Sequence, residues 1–174
     1  MRVHKPSAAA NPAAKHLDLE TRLTDEHHQG LKLWLRLLSC TNLVEAQVRS
    51  RLRAEFGITL ARFDLMAQLE RHPSGLKMSE LSRRMMVSGG NVTGLTDQLE
   101  KEALVARADA PEDRRAYTVK LTPAGRALFA RMAGAHEQWV IELFSGLSSS
   151  EKTQVHRLLA KLKLHVAGMT TGKD

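Results

Sequence analysis

Residues 78–126 constrain the fold of this chain more than any other segment. MSELSRRMMV has apolar residues at helical spacing, and SGGNVTGLTDQLEKEALV has them again. Between the two runs there is room only for a tight turn. The following ARADAPEDRRAYTVKLTPAG reads as two short strands, 104–109 and 115–121, around a charged loop, AlaAspAlaProGluAsp. Thr122-Pro123 then starts a new helix, with Thr as N-cap and Pro at the first helical position. Two helices joined by a tight turn and followed by a basic hairpin form a device for gripping duplex DNA.

The rest of the chain is helical in pattern. Residues 27–55 predict a long helix with two apolar faces, Leu31, Trp34, Leu35 and Leu38 on one and Leu33, Leu37, Cys40, Val44 and Val48 on the other. Gly57 ends it. Thr59 caps a helix over 60–71 that buries Phe63, Met66 and Leu69, and His72-Pro73-Ser74-Gly75 is a turn. Ser79 is expected to cap the next helix, with Leu81, Met85 and Met86 inward. The Thr122-Pro123 helix runs to about residue 144, with Leu128, Met132, Trp139 and Leu143 on a stripe. Ser148 and Glu151 form a capping box before a last helix with Val155, Leu158, Leu159, Leu162 and Val166 on one face.

The predicted fold is therefore mainly α with a small β-hairpin wing. A winged helix-turn-helix domain spans 58–122, and the N- and C-terminal helices (21–57 and 123–168) form a dimerisation lobe. Unpaired apolar stripes on those helices call for a second copy. Residues 1–20, rich in Ala and Pro, read as a flexible arm, and 169–174 as a tail.

Within the winged segment, a recognition helix needs small or hydrogen-bonding side chains on its first turns. Ser88, Gly90, Asn91 and Thr93 meet that need, while Val92 and Leu95 point to the core. Consecutive glycines at a helix start make sense where the backbone must approach something closely. Arg83 and Arg84 fall where phosphates pass, and Arg114 and Arg115 lie at the hairpin. A guanidinium there can enter the minor groove, with Asp113 orienting it by a charge-assisted bond. Taken singly, Ser-Gly-Gly-Asn is an ordinary cap and Arg-Arg a solvated pair. Their agreement in order carries the reading.

The chain has a net charge of +7 and a sequence pI near 9.9, which favours a polyanionic partner. The excess is not concentrated in the wing. Residues 76–126 hold nine Lys/Arg against seven Asp/Glu, whereas 27–63 hold six against two. Arg49, Arg51 and Arg53 crowd the end of the first helix as a solvated face or an anion site. No apolar run approaches the ~20 residues a membrane span needs, since Lys32 and Arg36 interrupt LKLWLRLLSC. The N-terminus lacks the apolar core of a signal peptide, and one cysteine excludes an internal disulfide. A cytoplasmic protein is expected.

The stretch from MSELSRRMMV to LTPAG resembles the MarR family of bacterial winged helix-turn-helix regulators. The family's wing pattern of Asp-x-Arg, then Leu-Thr and Gly, maps to Asp113, Arg115, Leu121, Thr122 and Gly125, and the order of helices matches over 27–168. The resemblance implies a homodimer on a pseudo-palindromic double-stranded operator, usually a repressor. It implies recognition contacts from Ser88, Gly90, Asn91 and Thr93 and a wing finger at Arg115. It also implies release by a small molecule, often a phenolic or aromatic acid, bound between the two lobes. Candidate ligand residues are His28, Trp34, Arg36, Leu37 and Phe63. Segments 62–70 and 90–94 look closest to members governing hydroxycinnamate-type catabolism, some of which sense an aryl-CoA thioester, for whose phosphates Arg49, Arg51 and Arg53 are candidates. Gly94 departs from the family, where many members carry a long basic residue.

Other chemistries fit less well. Cys40 reads as a buried structural cysteine rather than a redox sensor. His27, His28, His72, His136, His156 and His165 lack the spacing of a zinc site. No phosphate loop, nucleophile elbow or carboxylate pair points to an enzyme or a cofactor. The remaining alternative is a winged-helix architectural or protein-interaction module without ligand control.

Overall fold

The computed structural model describes residues 28–110 and 113–170, with side chains over 28–108 and 117–169. The expected arm 1–20, the hairpin tip at 111–112 and residues 171–174 lie outside the described residues. The chain divides after Gly57 into two compact units.

In the first unit, helix α1 runs Gln29–Phe56. Gly57 stops it in the left-handed conformation (φ 65°), and its N–H donates to the Arg53 carbonyl at 3.1 Å. Val48 and Leu52 are buried, while Leu31, Leu33, Trp34, Leu38 and Leu43 are exposed. Cys40 is exposed as well, contrary to the expectation of burial. On its face of α1 only Val48, two turns on, is buried, and Leu37 and Val44 are half-buried.

The second unit contains α2 (Leu60–Glu70), β1 (Leu76–Lys77), α3 (Met78–Met85), α4 (Gly89–Lys101), β2 (Val105–Ala110), β3 (Asp113–Leu121), α5 (Pro123–Leu143) and α6 (Ser149–Thr170). Thr59 caps α2 by accepting from the Arg62 N–H. Thr122 caps α5 by accepting from the Gly125 N–H at 3.0 Å, with Pro123 opening the helix. The Ser148–Glu151 box is complete, since the Ser148 N–H donates to Glu151 Oε2 at 2.8 Å and the Glu151 N–H to Ser148 Oγ at 3.4 Å. The Ser148 hydroxyl, which donates to Glu151 Oε2 at 2.7 Å, and after it the Ser148 N–H hold the Glu151 carboxyl below the usual glutamate range.

The sheet is antiparallel in the order β1-β3-β2. Leu76 pairs with Val119 and Lys77 with Thr118, so β1 adds a third strand to the expected hairpin. That pairing also moves the start of α3. Lys77 is the extended N-cap residue (ψ 151°), and Ser79, the expected cap, lies inside the helix. Strand β3 is longer than its side chains suggest and β2 is shifted on by one residue, because backbone pairing continues past Asp109 to join Ala110 with Asp113. The register breaks between Asp109 and Ala110, leaving 114–116 as extra residues on β3.

The core of this unit is Leu, Met and Val: Leu65, Met66, Leu69, Leu81, Val92, Leu99, Val119 and Met132 are almost fully enclosed. Phe63 is buried and stacks on Phe129 at 5.5 Å between ring centroids, with the His136 ring at 5.2 Å. Helix α6 is exposed along its described length, including Val155, Leu158, Leu159, Leu162 and Val166.

Candidate nucleic-acid interface

Helix α3 ends at Met85, and the chain reverses through Met86 and Val87 before α4 begins at Gly89. The Val87 N–H reaches the Ser82 carbonyl at 3.2 Å and the Met86 N–H the Arg83 carbonyl at 3.3 Å. This paired closure requires a left-handed residue, and Met86 supplies it at φ 55°. Ser82 Oγ donates to the Val87 carbonyl at 2.6 Å and secures the turn. Met86 therefore does not point inward as expected; the reversal turns its side chain out, leaving it 92% exposed.

Ser88 caps α4 by accepting from the Asn91 N–H. The helix then has two distinct faces. Val92, Leu95, Thr96 and Leu99 are buried, and Thr96 is satisfied by donating to the Val92 carbonyl at 2.8 Å. Ser88, Gly89, Gly90, Asn91, Thr93 and Gly94 are exposed. A Cβ placed on Gly89, Gly90 or Gly94 would meet nothing within 4 Å. The fold itself thus does not require these glycines, which each cost a helix up to about 1 kcal/mol relative to alanine. They leave a strip of helix backbone open to close approach from outside. The Asn91 amide and Thr93 hydroxyl stand on the same strip, although Thr93 Oγ1 also donates to the Gly89 carbonyl at 3.0 Å.

Charge around this face is ordered by ion pairs. Arg84 donates to Glu80 through Nε at 3.1 Å and Nη2 at 2.7 Å, and this contact holds the Glu80 carboxyl below its ordinary range. Arg84 is thus already engaged, whereas Arg83 beside it is exposed. Arg107 on β2 bridges Asp97 and Glu100 on α4 and lies 5.2 Å from the centre of the Tyr117 ring on β3. Its guanidinium pKa is raised, chiefly by the bond to Asp97. Arg62 on α2 pairs with Glu102 at the end of α4. Four of the seven carboxylates in 76–126 are therefore ion-paired, and three of them fix α4 to β2 or α2. These paired carboxylates account for the small net charge of the segment. Sequence reading missed Arg107 and Arg62, because their partners lie 7 to 10 and 40 residues away.

The backbone of Asp113, Arg114 and Arg115 is in β3, and their side chains lie outside the described residues. Of the positions singled out for a ligand, His28 is the exposed N-cap residue of α1. Trp34, Arg36 and Arg53 are exposed, Leu37 is half-buried, and Arg49 pairs with Glu45 one turn away. Phe63 is enclosed by its aromatic neighbours. Among the described residues there is no group of three or more His, Cys, Asp or Glu side chains able to hold a metal ion. No described helix is long and apolar enough to cross a membrane.

Comparison with known proteins supports the same reading. Residues 56–116 match the sequence profile of the MarR family. The chain is 34% identical over 106 residues to the HTH-type transcriptional repressor MdtR of Bacillus subtilis, an alignment covering 61% of this chain and 68% of that one. A MarR family transcriptional regulator from Silicibacter pomeroyi overlays with a TM-score of 0.70 at 33% identity, covering 83% of this chain and 99% of the other. A mutant MarR of Escherichia coli, crystallised with operator DNA, shares the fold at a TM-score of 0.68 and 23% identity, covering 80% of this chain and 99% of its own. These proteins are transcriptional regulators, not enzymes. The agreement of sequence and fold along most of its length places this chain in the MarR family of winged helix-turn-helix transcriptional regulators.

Proposed function

We propose that the protein is a homodimeric, sequence-specific repressor that binds a pseudo-palindromic operator in duplex DNA and is released by a small aromatic effector. The observation that carries DNA recognition is the exposed face of α4. It presents a bare glycine strip with one amide and two hydroxyls, on a helix anchored by four buried residues and three inter-element ion pairs. Such a face fits a major groove, where Asn91 bonds an adenine edge and Ser88, Gly90 and Thr93 read bases or phosphate. Arg83, Arg114 and Arg115 supply phosphate and minor-groove contacts, with Asp113 orienting the wing. Arg84 joins them once Glu80 releases it.

Residues 58–122 act as the DNA-binding domain, and helices within 21–57 and 123–168 join two copies. The exposed apolar stripes of α1 and α6 support that pairing, as does the need to place two recognition helices about 34 Å apart. An aromatic acid or its CoA thioester is the effector class implied by the resemblance of 62–70 and 90–94 to members governing hydroxycinnamate-type catabolism. It acts by binding the non-operator conformation more tightly than the operator-bound one. The cytoplasm is the compartment this role requires.

The test is a titration. A duplex selected from a random pool by the protein is bound, and phenolic acids and aryl-CoA thioesters are added while fluorescence anisotropy is followed. Release by one of these classes is expected. A complex that no member of the panel releases favours an architectural module without ligand control. Arg115→Ala should weaken binding and lower the salt slope by about one unit, and an unchanged slope removes the wing from the interface.

A further inference from the structure

The closure of α3 explains the left-handed conformation at residue 86 but not why a methionine stands there. Met86 is one of two described non-glycine residues with positive φ. The left-handed region is unfavourable for a side chain with a Cβ, and glycine or asparagine is usual at this helix-closing position. The second case, Ala103 (φ 54°), has a structural return, because its carbonyl accepts the Thr122 hydroxyl at 2.7 Å and so ties the end of α4 to the start of α5. The Met86 backbone likewise closes its turn by donating to the Arg83 carbonyl at 3.3 Å, which a glycine would do without strain, whereas its side chain is left in water. It is 92% exposed, the most exposed of the large apolar side chains among the described residues, and it stands two residues ahead of the Ser88 cap. A long apolar side chain is therefore held in water at a strained position, beside the three glycines that bare α4. Strain of this kind persists where the residue has a use elsewhere.

We propose that Met86 is a specificity residue that contacts DNA, its thioether end meeting the C5-methyl of a thymine beside the first turn of α4. This inference rests on the reading of α4 as the recognition helix. The thymine methyl is the apolar group that base edges offer in the major groove, and an unbranched, polarisable side chain can reach it without a fixed rotamer. Met86 would thus read by exclusion of water what Asn91 reads by hydrogen bonding. Each half of a pseudo-palindrome would carry one such thymine.

The experiment uses the full-length protein and a duplex selected by it from a random pool, together with versions in which deoxyuridine replaces each thymine in turn. Deoxyuridine keeps the base pair and removes only the methyl. In the wild type, one position per half-site should lose about fourfold or more in affinity on replacement, the worth of a buried methyl-sized group. Met86→Gly should lose a similar factor on the thymine duplex and become indifferent to deoxyuridine at that position. Met86→Leu should keep the sensitivity. The melting temperature of Met86→Gly should equal or exceed that of the wild type, and Ala103→Gly should leave DNA binding unchanged. Met86→Gly binding like the wild type overturns the proposal, as does an equal deoxyuridine effect in both proteins. So does a fall in its melting temperature, which would give the side chain a packing role. A wild-type protein that selects no duplex at all rejects the DNA-binding reading itself, a failure distinct from these.

Discussion

A Cβ on Gly125 would lie 1.9 Å from the backbone oxygen of Leu104. No side-chain adjustment relieves a clash with backbone, so α5 can start against the end of α4 only if residue 125 is glycine. Gly125→Ala should destabilise the fold by about 3 kcal/mol, the upper end for overpacking, and lower the melting temperature by about 6–12 °C. Calorimetry checks this, and a shift below 2 °C would mean the contact is soft. Gly90 has the opposite character, since nothing lies within 4 Å of its would-be Cβ. Gly90→Ala should therefore raise stability, by up to about 1 kcal/mol, while weakening operator binding about fivefold or more as the added methyl meets the groove. Thermal unfolding and anisotropy on one preparation would show the two effects moving apart; if affinity holds, the bare strip is not the contact surface. Sequence placed Gly90 where backbone must approach a partner and Gly125 in the family's wing pattern, but only the fold shows that Gly125 is required by its neighbour and Gly90 by nothing among the described residues. The orientation of Met86 was hidden for a related reason: helical periodicity assigns it inward, and a left-handed turn at a non-glycine residue has no local signature.

The elements that sequence revealed most fully are those closed by local chemistry. Gly57, Thr59, Ser88, Thr122-Pro123 and Ser148–Glu151 all cap where their residue types dictate. Elements defined by distant partners were less legible. Strand β1 has two residues and exists through pairing with β3 some forty positions on, and the same pairing displaced the start of α3. The buried and exposed faces of α4 followed from spacing alone, yet the ion pairs that fix α4 to β2 and α2 did not. The capping box makes a pH prediction. Because folding lowers the Glu151 pKa, its contribution is present above the ordinary glutamate value of about 4.3 and is lost as pH falls through that range. The stability difference between wild type and Glu151→Gln should be widest near neutrality and shrink on acidification. A pH-independent difference, measured by urea unfolding, would show that the carboxylate charge is not what Ser148 holds.

At the scale of the whole molecule, the proposed pairing of two copies rests on the exposed apolar side chains of α1 and α6. Leu159 and Leu162 are exposed in a single chain, so charging them disturbs no core. Leu159→Asp with Leu162→Asp should stay folded by circular dichroism, sediment as a monomer, and bind the selected duplex no better than a random one. Retention of the dimer would move the interface elsewhere. On the proposed reading, two copies present α4 and the wing together to one face of a duplex. Hydroxyl-radical footprinting on the selected duplex, with the stoichiometry of the complex measured alongside, tests it most directly. Two protected stretches on one face, centred about 10 base pairs (~34 Å) apart, with two chains per duplex, are the result expected. A single protected stretch, or one chain per duplex, would contradict it.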